Sequence, residues 1–198
     1  MKLYDMELSG NAYKVRLFAA LVGIELELVP VDLAAGEHKQ SPFIDLNPWA
    51  QVPVLEDGDV VLRDSQAILV YLARQYGGHQ WWPDGAAHQG EVMQWLSTAA
   101  NEIHAGPNVA RLIDKFGYPL DKALALAVSA RVLPLIEQHL SEHQWLAMGR
   151  PTIAECAVFP YIALGWEGGV SLAPYPAIRA WIERTKALPG YVGMPGIG

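Results

Sequence analysis

The sequence is poor in cysteine, in positive charge and in long apolar runs, and each shortage excludes something. Its one cysteine, Cys156, permits no internal disulfide, which suits a reducing compartment. There are 14 Lys and Arg against 21 Asp and Glu, a net charge of -7, so the basic stripe of a nucleic-acid-binding protein is missing. The start, MKLYDMELSG, has no apolar run of signal-peptide type, and no later stretch approaches about 18 uncharged apolar residues. We therefore expect a cytoplasmic protein that binds neither nucleic acid nor membrane.

What the chain does contain is a large apolar fraction, 52% of 198 residues, enough for one large domain or two small ones. Up to residue 76, strand-like and helix-like segments alternate. They predict strands at 3–4, 24–31, 52–55 and 60–62, and helices from 11 to 22, 42 to 46 and 65 to 76. In the second strand Ile24, Leu26 and Leu28 share one side. The fold class of this part is therefore α/β, in the order βαβ then ββα.

After the glycine-containing linker 77–87 the pattern becomes helical. Apolar residues at helical spacing predict helices at about 92–103, 121–139, 152–164 and 176–188, with a kink at Gly106-Pro107. Thr152 and Glu155 form a capping box at the start of an all-apolar, buried helix. On the helix before it we expect Ala123, Leu124, Ala127, Leu133, Ile136 and Leu140 to face inward.

The stretch from 47 to 76 carries the features of functional interest. Asp57-Gly58 is a strong hairpin signal between two short apolar strands. Pro53 at the entry of the first strand removes a ladder donor, although base rates alone put cis proline bonds at about one in twenty. Ser65 opens the next helix, where unpaired N–H groups can bind a carboxylate. It can equally be a simple N-cap, and the residues alone leave both readings open.

Three segments carry a family likeness: NPWAQVPVLEDGDVVLRDSQAILVYLA, WWPDGAA and PTIAECAVFPYI. Together with the order of elements, they resemble the glutathione transferases over essentially the whole chain. The third segment usually has Asp in the family where this chain has Glu155, which keeps the capping carboxylate. Ser9 and Asn11 resemble the serine of theta- and zeta-like members and the Thr-x-Asn arrangement of some bacterial, nu-like members. Zeta members usually have Cys at the position of Asn11, which speaks against the isomerase activity of that class.

The resemblance implies a two-domain enzyme. Residues 1–76 would form a thioredoxin-like, glutathione-binding domain with a cis bond at Val52-Pro53, residues 77–87 a linker, and residues 88–198 an all-helical domain that contributes the electrophile pocket. It also implies a cytoplasmic homodimer that serves in detoxification and uses glutathione as co-substrate, without a metal.

Glutathione needs a donor for its thiolate, backbone pairing for its cysteinyl part and anchors for its charged ends. Ser9, just before a helix N-terminus, can donate its O–H to the sulfur, assisted by the helix dipole and by the Asn11 amide. Such a bond contributes about 1.5 to 3 kcal/mol, enough to lower a thiol pKa by roughly one to two units. The remaining contacts are assigned as follows: Val52, freed by Pro53, to the peptide; Ser65 to the γ-glutamyl carboxylate; Asp64 and Gln51 to its ammonium; and Lys39 to the glycyl carboxylate.

The sequence indicates the residues of the electrophile pocket less clearly than those of the glutathione site. The candidates are Met6, Leu8 and Trp49 from the first domain and His104, Asn108 and Arg111 from the helix after the linker. Each has a plainer alternative: Trp49 can plug the seam between domains, His104 can be a surface residue, and Arg111 can be an ion-pair partner. Lys39 can likewise be merely solvated. Cys156 lies in the apolar capping-box helix, where we expect an inert core thiol.

The leading functional hypothesis is addition of glutathione thiolate to an electrophilic small molecule. Glutathione-dependent reduction of disulfides or peroxides is a close variant that Ser9 and Asn11 allow. A non-catalytic member that keeps the fold for protein interaction is the third reading; it would be favoured by loss of the sulfur-facing hydroxyl or of the acid-Ser pair, and both are present.

Overall fold

The computed structural model describes residues 1–197 and begins with a four-stranded mixed sheet. Its strands are β1 (Lys2–Asp5), β2 (Glu27–Pro30), β3 (Val54–Asp57) and β4 (Val60–Arg63), in the order β2-β1-β3-β4. β1 runs parallel to β2 and antiparallel to β3, and the hairpin β3–β4 is antiparallel. This is the expected thioredoxin-like order, and it confirms the predicted fold class.

Eight α-helices accompany the sheet in the described part of the chain. They are α1 (Gly10–Leu21), α2 (Phe43–Leu46), α3 (Ser65–Leu72), α4 (Ala86–Ala100), α5 (Val109–Phe116), α6 (Lys122–Glu142), α7 (Ile153–Ala163) and α8 (Pro176–Lys186). π-helical turns extend α3 over Ala73–Gly77 and join α4 to α5 over His104–Asn108. The helical remainder is therefore as predicted, including the break at Pro107.

The two faces of the sheet are covered differently because successive strand residues point to opposite sides. Leu55 belongs to the large core that α1, α3 and α7 share, whereas the neighbouring Val54 packs with Val31, Phe43 and Val52 in a small second cluster. Since the large core runs from the sheet into the helices after residue 86, the two parts of the chain are held against each other by apolar burial.

Strand β2 is shorter than the alternation of apolar residues predicted. It pairs with β1 only from Glu27 to Pro30, because β1 is itself four residues long and β2 has no second neighbour. Ile24 and Leu26 pack against the large core as expected. Leu28 is 47% exposed, so the three residues predicted to share one side of the strand are not equally buried.

The inward face of α6 also differs from the prediction. The buried residues include Ala125, Ser129 and Val132, whereas Leu124 is 61% exposed. Residues 123–128 are all apolar, so polarity could not set the phase of the helix. The packing sets it: a Cβ at Gly106 would lie 2.9 Å from the Ser129 hydroxyl oxygen, which shows how closely the π-helical turn approaches α6.

Helix α6 is long and apolar enough to cross a membrane by length and composition alone. The helix contains Arg131 and Glu137, so it is not the uncharged apolar run whose absence the sequence indicated. The test is weak, because a core helix of a soluble protein passes it too. Leu133, Ile136 and Leu140 of α6 lie in the large core, which is the behaviour of a packed helix.

The capping box at the start of α7 is confirmed. Glu155 accepts hydrogen bonds from the N–H groups of Leu146 (2.8 Å) and Thr152 (2.7 Å), and the Thr152 hydroxyl oxygen accepts from the N–H of Ala154 (3.2 Å). The helix that it begins is buried over residues 153–162. Because α7 packs against α1, the capping box indirectly supports the N-terminus of α1.

Candidate active site

The N-terminus of α1 presents a hydroxyl group whose proton is available. Ser9 is the N-cap of α1, and its Oγ accepts a hydrogen bond from the N–H of Ala12 at 3.2 Å. A hydroxyl that accepts in a cap can still donate its own hydrogen. Asn11, two residues further along, lines a cleft, whereas Ser9 is not among the residues that line it. The Ser9 hydroxyl and the positive end of the helix dipole lie at the same end of α1 as Asn11.

A small cleft with a cavity volume of about 40 Å³ lies between the start of α1, the chain before β3 and the start of α3. It is lined by Asn11, Asn47, Gln51, Val52, Pro53, Arg63, Asp64 and Ser65. Six of these are residues that sequence reasoning placed in the site. The Val52-Pro53 bond is cis, as predicted. Val52 precedes the first ladder position of β3, so its backbone groups do not pair within the sheet.

Two cleft residues, Asn47 and Arg63, were missed by sequence reasoning. The buried Asn47 donates from Nδ2 to the carbonyl of Gln51 (2.8 Å) and accepts at Oδ1 from the N–H of Trp49 (3.1 Å), which holds the loop before Val52 in place. Its position before Pro48 in a turn was the available signal. The guanidinium carbon of Arg63 lies 3.6 Å from the centre of the Trp49 ring. Trp49 is 61% exposed, so it does not plug the seam between the domains.

The residue that caps α3 differs from the predicted one. Asp64, not Ser65, is the N-cap: its Oδ1 accepts from the N–H groups of Gln66 and Ala67, each at 3.0 Å. Asp64 has φ 71, a left-handed value that costs of order 1–3 kcal/mol in a residue other than glycine. Ser65 is buried, and its hydroxyl donates to the Gln66 side chain at 2.7 Å. Because Asp64 takes the next two N–H groups, the N–H of Ser65 is the one left at the helix start.

The second half of the chain adds the π-helical turn to the site region. His104 and Asn108 are joined by a contact of 2.9 Å between the histidine Nδ1 and the amide Nδ2. Desolvation and then the positive charge of Lys14 lower the pKa of His104, so the imidazole is close to α1. Single π-helical turns within α-helices are frequent at functional sites. His104 therefore stays a candidate.

The structure corrects the predicted role of Arg111 in substrate binding, and it places Lys39 outside the cleft. The Arg111 side chain is buried and forms an ion pair with Glu167, next to Lys115. It is therefore an ion-pair partner and is not exposed to a substrate in solution. Lys39 ends an exposed 3-10 turn and does not line the cleft, so its role stays a prediction.

Two residues near the start of α1, Lys14 of α1 and Tyr161 of α7, gave no functional signal in the sequence. Tyr161 of α7 packs its ring on Gly10, where a Cβ would lie only 2.5 Å from the ring. Lys14 lies fully buried with its Nζ 5.3 Å from the centre of the same ring. Lys14 lies on α1 itself, and only the tertiary packing of α7 on α1 brings the Tyr161 ring against both Gly10 and Lys14.

Cys156 is buried, as expected. Burial and then the charge of Glu155 raise the pKa of its thiol well above the usual value. It is therefore a poor nucleophile and lies in the core, away from the cleft.

A thioredoxin-like sheet with a cleft at the cis-proline, an acid-Ser pair and a helical second half defines the class of a glutathione-binding two-domain protein. Comparison with protein families agrees. The glutathione S-transferase N-terminal domain matches residues 1–74, and the glutathione S-transferase C-terminal domain matches residues 121–189.

Known proteins similar to this chain include glutathione S-transferase 3 of Zea mays, 34% identical, covering 96% of this chain and 91% of the relative. Glutathione S-transferase 1 of Triticum aestivum is 46% identical, with coverage of 96% and 90%. The crystal structure of a glutathione S-transferase from Pseudomonas fluorescens superposes with a TM-score of 0.92 at 31% identity, covering 98% of each chain. The chain belongs to the glutathione S-transferase family, and the predicted family, transferase function and co-substrate are confirmed at that level; the subgroup stays a prediction.

Proposed function

We propose that this chain adds the thiolate of glutathione to electrophilic small molecules, with Ser9 donating a hydrogen bond to the sulfur. The observation that carries this proposal is the N-cap of α1. The Ser9 oxygen accepts from the N–H of Ala12, which leaves its proton free to donate, and Ser9 lies two residues before Asn11, which lines the cleft. The helix dipole and the Asn11 amide add to the stabilisation of a negative charge there.

The other cleft residues account for binding of the tripeptide. The backbone N–H and C=O of Val52 pair with the cysteinyl part, as in β-strand addition. The Ser65 N–H binds the γ-glutamyl carboxylate at the start of α3. The Ser65 hydroxyl, which donates to Gln66 in the structure, turns to donate to the carboxylate when glutathione binds. Since Oδ1 of Asp64 is used by the cap, Oδ2 pairs with the ammonium, assisted by Gln51. Lys39 would reach the glycyl carboxylate only from the rim.

The electrophile would bind between the start of α1 and the π-helical turn. His104 and Asn108 are the polar groups that the helical part supplies on that side. Because a hydrogen bond to the thiolate gains little net reactivity, most of the rate must come from holding sulfur and electrophile together. On this proposal residues 1–76 form the domain that binds glutathione, and residues 88–198 form the domain that completes the electrophile pocket. Residues 77–87 link the two domains.

We also propose a cytoplasmic homodimer with a role in detoxification. Val60, Val61 and Tyr76 are exposed apolar side chains. Val60 and Tyr76 lie on one side of the hairpin, because Tyr76 hydrogen-bonds Asp57, which pairs with Val60 across the hairpin, whereas Val61 points to the other side. Sedimentation should give twice the chain mass of 21.7 kDa. Replacing Val60 with Lys should shift the protein toward monomer; a native protein that sediments as a monomer contradicts the dimer.

The direct test of function is calorimetric titration with reduced glutathione, combined with ultraviolet absorbance of the bound thiolate and turnover of an activated aryl halide. We expect binding in the micromolar to millimolar range, a thiolate band at neutral pH and conjugation that Ser9→Ala diminishes. Binding with reduction of a mixed disulfide but no conjugation would favour the reductase. Absence of binding would favour the non-catalytic interaction protein.

A further inference from the structure

Lys14 is a buried cation that the proposed mechanism leaves unused. Its side chain is 1% exposed. The other deeply buried cation, Arg111, is neutralised by Glu167. No carboxylate of residues 1–197 lies within ion-pairing distance of Lys14. A buried charge without a counter-ion costs free energy, so its retention calls for an explanation beyond stability.

The Lys14 ammonium is directed to the N-terminal turn of α1. Long side chains on a helix lean toward its N-terminus, and Gly10 lies one turn before Lys14 on the same face. Both contact the Tyr161 ring: the absence of a side chain at Gly10 lets the ring lie against the backbone, and Nζ of Lys14 lies 5.3 Å from the ring centre. The Lys14 ammonium and the backbone of Gly10, in the turn that carries Ser9 and Asn11, therefore lie against the same Tyr161 ring.

The charged and titratable groups that face Lys14 come from three elements. Asp64 at the start of α3 is the one anion among them, and it is already engaged by the α3 cap. His104 on the π-helical turn senses the Lys14 charge. Tyr161 on α7 has a pKa raised to about 12 by burial, against the lowering effects of Arg111 and of the Asn11 N–H. Among the groups that face Lys14, Asp64 is therefore the one anion, and it is not within ion-pairing distance of the ammonium.

Burial lowers the pKa of Lys14 to about 7, and the charge of Asp64 offsets part of this effect. An additional anion nearby would favour the protonated form. Such an anion arrives with the substrate, because the glutathione sulfur is expected at Ser9.

We propose that Lys14 is a positioning residue that supplies the buried positive charge opposite the glutathione thiolate. The inference rests on the proposed thiolate site at Ser9. When the S–H bond of glutathione breaks, the electron pair stays on sulfur. Its proton goes to solvent, and Ser9 holds the thiolate by its hydrogen bond while the protonated Lys14 supplies the nearby positive charge.

The test compares the native protein with Lys14→Met, which keeps length and apolar contacts, and Lys14→Arg, which keeps the charge. The readout is the pH midpoint of thiolate absorbance for bound glutathione. We expect Lys14→Met to raise this midpoint by about one unit, as removal of a nearby charge in a partly screened site does, and Lys14→Arg to stay near the native value. S-methylglutathione, which has no thiol to ionise, should bind native and Lys14→Met proteins equally well.

Two further results separate this inference from a structural role and from the proposed function. Lys14→Met should be at least as resistant to urea as the native protein, because an unpaired buried charge has been removed. An unchanged midpoint in Lys14→Met, or loss of S-methylglutathione binding, would overturn the inference while leaving the native activity in place. Failure of the native protein to bind either ligand would instead overturn the proposed function.

Discussion

Replacing Ser9 with Ala removes two interactions whose magnitudes can be separated. The cap bond to the N–H of Ala12 is 3.2 Å long, at the weak end of the normal range, so its loss should cost about 0.5–1 kcal/mol of folding free energy. The bond to the thiolate contributes about 1.5–3 kcal/mol, so its loss should raise the pKa of bound glutathione by about one to two units.

These magnitudes predict an unusual pH dependence. For a two-unit difference, the thiolate fraction at neutral pH falls from about 75% to about 3%, while the more basic thiolate is roughly eightfold more nucleophilic. The net loss at neutral pH is then only about threefold. At a pH above both pKa values the loss should disappear or reverse, because both thiols are ionised and the variant has the stronger nucleophile.

The assay is the rate of conjugation at saturating glutathione from about pH 6 to pH 10. Ser9→Gly is a matched control, because glycine is an acceptable N-cap that lacks the hydroxyl, and Ser9→Thr keeps both functions. Ala and Gly variants should share the shifted profile although only Ala loses much stability. A loss of rate that is the same at every pH, or one that follows stability, would refute the thiolate role.

Three further predictions concern binding, stability and the lone thiol. Ser65→Ala should weaken glutathione binding by roughly ten- to a hundredfold with kcat little changed, because a hydrogen bond to a carboxylate is lost in substrate and transition state alike; titration and kinetics together check this. Burial raises the pKa of Glu155 from 4.5 to about 7. The folded state therefore binds more protons than the unfolded state, and the free energy of unfolding should fall by about 3 kcal/mol as pH rises through that interval. Urea unfolding at several pH values should show a weaker pH dependence of the unfolding free energy for Glu155→Gln, and the same pH dependence in both proteins would contradict the assignment. Cys156→Ala should keep its specific activity, since the thiol lies in the core; an inactive but folded variant would contradict the inert role.

Elements with strong local signals were predictable. The capping box of Thr152 and Glu155 satisfies helix-start donors with side chains three residues apart, so the sequence spacing nearly determines the geometry. The hairpin at Asp57-Gly58 is similar, because Gly58 takes a left-handed φ of 59 that few other residues adopt without strain. The cis bond at Val52-Pro53 followed from the family likeness, since base rates alone opposed it.

Elements whose placement depends on neighbours were less predictable. Leu124 was assigned to the wrong face because residues around it are all apolar, and the close approach of Gly106 to Ser129 decides the orientation of α6. The cap of α3 moved from Ser65 to Asp64, since either side chain can cap and only the backbone at Asp64 shows which one does.

The sequence by itself determined the alternation of strands and helices, because this depends on short-range periodicity, capping and turn residues, and its motifs indicated the family to which the chain belongs. The tertiary structure decided what those signals cannot contain. It placed Arg111 against Glu167, away from any substrate, and Lys14 beneath the start of α1 without a counter-ion. Whether a long charged side chain is solvated, paired or buried depends on the packing of distant helices, and no local pattern records it.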